Sequence, residues 1–332
     1  MGSTQSEFTV QPFRARRGLR GGHRQTIASF LLPRKFSLPE PESRLVEVAP
    51  GIQVLCQCHW QADKTSAMTI VILHGLEGSS DSNYARGITE KGLRRGMNVV
   101  RMNQRNCGGT ENLAPTLYHS GLSSDVAAVV RNLTQVDGVS RIALVGFSMG
   151  GNIMLKLAGE WGTQAPKELR CVAAVCPAMD LAASADALHD RSNRLYETYF
   201  LRKLRQRLRA KARLFPSHFD LSRLKGVKSL RDFDDKVTAY YCGFTGAVDY
   251  YARAAAANVL DRIVAPTLIL HAENDPFIRI TPATRAKVKS NPNITFFETS
   301  DGGHCSFIAS RDGYDGHWAE QQVLEFVGRF CE

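Results

Sequence analysis

Arg141–Ile142–Ala143–Leu144–Val145–Gly146–Phe147–Ser148–Met149–Gly150–Gly151–Asn152 is the stretch on which the reading of this 332-residue chain turns. Ile142 to Val145 is a short, partly β-branched apolar run, the composition of a buried parallel strand. Gly146, Phe147, Ser148, Met149 and Gly150 then spell G-x-S-x-G. In that spelling the glycines leave room for neighbouring backbone, so a serine can stand at the apex of a tight strand-to-helix turn. Ile153, Met154, Leu157 and Ala158 recur at helical spacing, so a helix N-terminus is expected beneath Ser148. Its free N–H groups and positive dipole end favour negative charge developing there.

Outward from this turn the chain alternates. Short apolar strands are expected at Leu45–Val48, Ile52–Trp60, Thr69–Leu73, Asn98–Met102, Cys171–Cys176, Thr267–Ala272 and Ile294–Glu298. Helical patterns lie near Tyr84–Arg95, Ser123–Leu133, Pro282–Lys289 and Trp318–Phe330. Strand, helix and strand in succession predict an α/β fold, a mostly parallel sheet with helices on both faces. Ala49–Pro50–Gly51 reads as a hairpin turn. The alternation breaks between Pro177 and Leu260, where helices and loops are expected without a strong strand. The expected division is therefore a lead segment over 1–43, a core over 44–177 and 261–332, and a helical cap insertion over 178–260. Residues 1–43 show no clear periodicity.

Composition narrows the class without choosing a function. A hydrophobic content of 43% suffices for a large core, and Lys and Arg exceed Asp and Glu by 42 to 32, a formal charge of +10. Such a balance permits attraction to anionic lipid, nucleic acid or acidic substrates. The basic residues lack the interleaved aromatics of a nucleic-acid module, so no nucleic-acid partner is expected. No apolar run is long enough for a membrane span, and Met1 to Arg20 lack the apolar stretch of a secretory signal. Eight scattered cysteines read as free thiols of a reduced, cytoplasmic protein. Cys56 and Cys58 share one strand face but have no second Cys/His pair, so no metal is expected. Met1–Gly2–Ser3–Thr4–Gln5–Ser6 matches the loose pattern for myristoylation at Gly2.

Three reactive side chains fall where a parallel sheet gathers chemistry, just beyond strand carboxyl ends. Ser148 follows one strand, Asp275 follows the strand ending at Ala272, and His304 follows the strand ending near Glu298. A serine hydroxyl needs an adjacent base, and the imidazole needs a carboxylate to fix its tautomer. Glu273 is the rival carboxylate, set on the strand end itself. The expected oxyanion donors are the backbone N–H groups of Met149, after the serine, and Leu76, behind His74–Gly75. His119 is expected to support loop packing and Cys305 to fill space.

The chain resembles the YheT-like branch of the α/β-hydrolase superfamily, the AB hydrolase 4 family, over most of its length. The residues carrying this are Gly22–His23–Arg24–Gln25–Thr26, His74 to Ser79, Arg105–Asn106–Cys107–Gly108–Gly109, Pro115 to Gly121 and Gly146 to Asn152. Phe233–Asp234–Asp235, Asp249–Tyr250–Tyr251 and Asn274–Asp275–Pro276–Phe277 extend it. The resemblance implies an α/β-hydrolase fold and a serine hydrolase of the carboxylesterase or lipase type, some relatives acting on phospholipids. It carries Ser148, Asp275 and His304 over as the triad and implies no cofactor. Asn106 departs from a frequent Gly, and Asn274 from a frequent Asp. The function expected is hydrolysis of a small-molecule or lipid ester through an acyl-enzyme. Acyl transfer to another alcohol by the same triad is the alternative, and a non-catalytic binding module a further one.

The cap carries one further expectation. Residues 191–213 hold nine Lys or Arg against the single acid Glu197. Leu195, Tyr199, Leu201, Leu204 and Leu208 fall partly at helical spacing, so one stripe is expected to be buried while a basic face stays wet. A wet basic face over the pocket would allow peripheral contact with an anionic membrane.

Overall fold

The computed structural model describes residues 8–331, and the pattern at Gly2 lies outside them. In chain order the elements begin with α1 (Gly22–Leu31), β1 (Glu42–Ala49), β2 (Ile52–His59), β3 (Thr69–Leu73), α2 (Asn83–Arg94), β4 (Asn98–Met102) and α3 (Ser123–Val136). They continue with β5 (Ile142–Phe147), α4 (Met149–Trp161) and β6 (Leu169–Val175). Then come α5 (Leu181–Leu188), α6 (Arg194–Leu214) and α7 (Leu230–Phe233), which a π-helical turn over Asp234–Thr238 carries into α8 (Ala239–Cys242), followed by α9 (Ala247–Ala254). The alternation resumes with β7 (Thr267–Ala272), α10 (Pro282–Ser290), β8 (Ile294–Thr299) and α11 (Trp318–Gly328).

The eight strands form one sheet in the order β1-β2-β4-β3-β5-β6-β7-β8. The β1–β2 and β2–β4 pairs are antiparallel, and every later pair is parallel. Alternation along the strands divides the core in two. Val71, Leu73, Leu144, Val172 and Ile269 face α3, α4 and α10 through Val129, Ile153, Met154 and Val288. Ile70, Ile72, Val145, Ala173 and Leu268 face α2 and α11 through Ile88, Val323 and Leu324. Every residue of β3, β4, β5 and β7 is buried, as strands covered on both faces must be.

Residues 1–43 depart from the expectation of no periodicity, because α1 is there. Its first turn is fixed by tertiary contacts rather than by an apolar stripe. Gln25 is fully buried and bonds Ile308 twice, its Nε2 donating to the carbonyl at 3.0 Å and its Oε1 accepting the N–H at 2.8 Å. Thr26 Oγ1 accepts the N–H of His304 at 2.8 Å. A Cβ on Gly22 would lie 1.8 Å from the Asn274 carbonyl, so no other residue fits that approach. Upstream, Phe13 packs edge-on against Phe307 and Trp318, and Trp318 Nε1 donates to the Gln11 carbonyl at 3.0 Å.

The expected wet face of α6 is also corrected in part. Arg207 forms a two-pronged pair with Glu77, Nε to Oε1 at 2.8 Å and Nη2 to Oε2 at 2.9 Å. Lys211 is fully buried and donates to Asn106 Oδ1 at 2.9 Å and to the carbonyls of Glu111 and Ala114. Both hold the helix to loops of the sheet. Arg202, Lys203, Arg209 and Arg213 remain exposed.

Replacing Gln25 by Ala strips the Ile308 N–H of its partner in a dry site, while the Ile308 carbonyl keeps the Arg16 N–H at 3.0 Å. An unsatisfied buried group costs about 1–3 kcal/mol. Urea unfolding of Gln25→Ala is expected to show a loss of about 1–3 kcal/mol at unchanged m-value.

Candidate active site

Ser148 sits at φ 55° and ψ −120°, a left-handed backbone that the surrounding packing imposes. That packing is backbone against backbone. A Cβ on Gly146 would lie 2.4 Å from the Gly150 carbonyl oxygen, and one on Gly150 would lie 2.3 Å from that of Leu73. The two glycines of the motif thus let α4 leave β5 at once and cross the end of β3. The serine is left at the apex, its N–H donating to the Val175 carbonyl at 2.9 Å.

His304 and Asp275 meet beside it. His304 Nδ1 donates to Asp275 Oδ2 at 2.8 Å, and Asp275 Oδ1 accepts the N–H groups of Phe277 at 3.1 Å and Ile278 at 2.9 Å. Burial opposes charge on Asp275, but His304 and these donors hold its carboxyl below the ordinary range. Burial likewise opposes a charged His304, yet the Cys305 sulfur and the Asp275 carboxylate raise its pKa well above 6.5. Ser148 and His304 line the same chamber. Among the described residues no hydrogen bond joins Ser148 Oγ to His304, whose Nε2 lies 3.8 Å from Cys305 Sγ. Such contacts are often long before substrate binds. Glu273, the rival carboxylate, is exposed, and the carboxylate bonded to His304 is that of Asp275.

The loop after β3 is held by several anchors. Buried His74, its pKa pushed down to about 4, stays neutral. Its Nδ1 donates to the Gly75 carbonyl at 2.8 Å while Nε2 accepts the Gln104 N–H at 3.1 Å. Gly75 N–H donates to Tyr84 Oη at 3.0 Å, and Tyr84 stacks on Phe147 at 4.0 Å. Glu77, at φ 56°, donates its N–H to Tyr118 Oη at 3.1 Å and accepts that hydroxyl at 2.8 Å. The N–H groups of Leu76 and Met149, flanked by these occupied donors, have no acceptor among the described residues. The pair Glu77–Arg207 and the stacking of Tyr84 on Phe147 escaped sequence reasoning, because the partners lie far apart in sequence.

Two cavities meet at Ser148. One is lined by Leu76, Met149, Leu181, Leu188, Phe200, Leu204 and Phe277, with His119 and Asp234 in its wall. Here His119 packs edge-on against Phe244 and accepts the Gly121 N–H, a packing role. Asp234 accepts Tyr251 Oη at 2.7 Å and Thr238 Oγ1 at 2.8 Å, and burial pushes its carboxyl up to about 6. The other cavity opens past Tyr84, Phe30, Leu32 and Tyr199, with His304 and Cys305 in its wall.

Asn274 and Asn106, the two departures from the family pattern, are accounted for locally. Asn274 donates to Asp301 Oδ1 at 2.7 Å and accepts the Gly303 N–H at 3.1 Å, bracing the His304 loop. Asn106 adopts φ 65°, a left-handed conformation that Asn tolerates. Two trios of metal-ligand type occur among the described residues, Cys176–His304–Cys305 and Cys176–His271–Asp275, each with donor atoms within 4.8 Å of one another. Both draw on the Asp275–His304 pair, whose facing atoms are already bonded to each other.

Comparison with known proteins places this geometry. Residues 69–310 match the model of the alpha/beta hydrolase fold family. The chain is 32% identical over 323 residues to the Escherichia coli protein named "Putative esterase YheT", covering 95% of this chain and 93% of that one. It is 27% identical to mouse "Phospholipase ABHD3" over 79% of this chain, but spans 62% of that relative's length. Among solved structures, the Pyrococcus furiosus esterase Pf2001 superposes with a TM-score of 0.58 at 17% identity, over 90% of this chain and 99% of that one. Family match, sheet order and the turn at Ser148 agree, and the chain belongs to the α/β-hydrolase fold family, in its YheT-like branch.

Proposed function

We propose that this protein is a serine hydrolase of carboxylic esters working through an acyl-enzyme. The observation that carries the reading is the meeting at Ser148 of two cavities, both lined by Leu76, one by Met149 and the other by His304 with Asp275 bonded behind it, while the N–H groups of Leu76 and Met149 stay unengaged among the described residues. His304, oriented through Nδ1 by Asp275, takes the Ser148 proton as Oγ attacks the ester carbonyl. The two N–H groups bind the developing oxyanion, and the α4 N-terminus adds its dipole. His304 then protonates the leaving alcohol, and water repeats the sequence to release the acid. The chemistry needs no metal and no organic cofactor.

The cavity roofed by α5 and α6 suits the acyl chain, and the one beside His304 suits the leaving alcohol. The helical residues 178–260 act in this reading as the cap. Its neighbourhood also supports peripheral contact with an anionic membrane. Phe30 and Leu31 are 70% and 74% exposed, and Tyr199 meets Phe30 at the chamber mouth. Exposed Arg202 and Lys203 lie on the same helix as Tyr199. Apolar side chains ringed by basic ones match an anionic bilayer surface. No helix among the described residues is long and apolar enough to cross one.

Ser148→Ala is expected to lower kcat/KM for short-chain esters by at least about 10⁴ and to abolish fluorophosphonate labelling. Asp275→Asn is expected to lower kcat by about 10⁴, while Glu273→Gln leaves it nearly unchanged. Undiminished labelling of Ser148→Ala contradicts the assignment, and adding ethanol separates hydrolysis from acyl transfer by the product formed.

The pH profile follows from the raised His304 pKa. The base must be neutral, so activity falls as pH drops through that value, and the acid limb of kcat/KM lies above the ordinary imidazole range. Cys305→Ser removes a negative neighbour of the imidazolium and is expected to move that limb to lower pH.

Binding to anionic vesicles, read by co-sedimentation, is expected to weaken with salt. Leu31→Ser and Arg202→Gln are expected to reduce it, each basic contact contributing about 1 kcal/mol. Equal binding to neutral and anionic vesicles contradicts the membrane reading.

A further inference from the structure

Beside the proposed base stand two thiols that the ester chemistry leaves unused. Cys176 and Cys305, 129 residues apart, are brought together where β6 and the His304 loop end. The Cys305 N–H donates to Cys176 Sγ at 3.4 Å, and Cys305 Sγ lies 3.8 Å from His304 Nε2. The two sulfurs and a ring nitrogen of His304 lie within 4.8 Å of one another. Their exposures differ in a useful way. Cys305 is half-buried and lines the chamber it shares with Ser148, whereas Cys176 is fully buried and does not line it.

We propose that Cys305 and Cys176 form an oxidation site for hydroperoxides, with Cys305 the reacting thiol and Cys176 the resolving one, and that their disulfide disables the adjacent His304. Reactive thiols sit in electropositive, accessible places, and oxidation sensors pair one with a resolving cysteine. Burial works against the Cys305 thiolate, but its contacts with Cys176 and His304 lower its pKa, while burial raises that of Cys176. The chamber admits a peroxide to Cys305 and shields Cys176.

The steps balance. The Cys305 thiolate attacks a peroxide oxygen, so an S–O bond forms as the O–O bond breaks. The departing hydroxide takes the proton of the His304 imidazolium and leaves as water, giving a sulfenic acid. Cys176 sulfur then attacks Cys305 sulfur, and the S–O bond breaks as the S–S bond forms. The second hydroxide takes the Cys176 proton and also leaves as water. Two thiols lose two electrons and two protons, and one hydrogen peroxide becomes two waters. A disulfide needs its sulfurs at about 2.05 Å. Closing to that distance moves Cys305 and, one residue away, His304.

The effect on activity rests on the ester-hydrolase reading, whereas the covalent change does not, so the two are measured separately. The full-length reduced protein is treated with hydrogen peroxide in a chelating buffer and followed by intact mass, peptide mapping and short-ester hydrolysis. Expected are loss of two hydrogens, a linked Cys176–Cys305 peptide, and inactivation that a thiol reductant reverses. Cys176→Ala is expected to leave a Cys305 sulfenic acid that dimedone traps, and Cys305→Ala to form no link and to resist peroxide. Cys305→Ser serves if the Ala variant does not fold. A linked peptide with unchanged hydrolysis overturns the effect on His304 alone. Absence of both the link and dimedone labelling, or inactivation of Cys305→Ala at the wild-type rate, overturns the site. An untreated protein without esterase activity counts against the hydrolase reading and leaves the mass readout intact.

Discussion

The close approach of backbones at Gly146 and Gly150 governs the centre of this molecule. With Cβ positions at 2.3–2.4 Å from carbonyl oxygens, neither site has room for a side chain. That constraint brings the start of α4 against the ends of β3 and β5 at the same time. It therefore fixes three things together: the left-handed backbone of Ser148, the dipole beneath it and the position of the loop carrying Leu76. A Cβ on Gly75 would stand 3.0 Å from Ser148 Cβ, so the loop and the serine share one tight seam. Strain at Ser148 persists because so many neighbours determine it.

The sheet and the elements around it were legible in the sequence because their periods differ. Buried strand segments such as Ile70–Leu73 and Ile142–Val145 are unbroken apolar runs, and α3 and α11 carry a 3.6-residue stripe. Ser148, Asp275 and His304 were legible as reactive types placed just after strands. What the pattern hid depends on distant partners. The start of α1 is anchored by buried Gln25 and Thr26, polar residues whose value lies in Ile308 and His304. Nor does the sequence distinguish Arg207 and Lys211 from their exposed neighbours, since helical position alone does not say which basic residue meets a loop about 100 positions upstream.

Part of the positive charge is spent inside the protein. Arg207 on Glu77, Arg105 on Asp125, and Arg34 with Lys91 on Glu320 are pairs with little exposure on either side. Losing one partner of such a pair leaves an uncompensated buried charge, typically about 3–5 kcal/mol. The Glu77 pair ties α6 directly to the loop that presents Leu76, so the roof of the apolar cavity is joined to the loop proposed to bind the oxyanion.

The contact between Thr26 and His304 joins residues 278 positions apart, and Gln25 to Ile308 spans 283. A domain emerging from the ribosome builds its N-terminal part first. The turn at Ser148 can form once β6 is made, yet the imidazole has no anchored place until the closing segment docks on α1. Contacts of such sequence separation form late and slowly. On the proposed reading the nascent chain therefore carries Ser148 without its base, because His304 is seated beside Asp275 only after synthesis has passed Ile308.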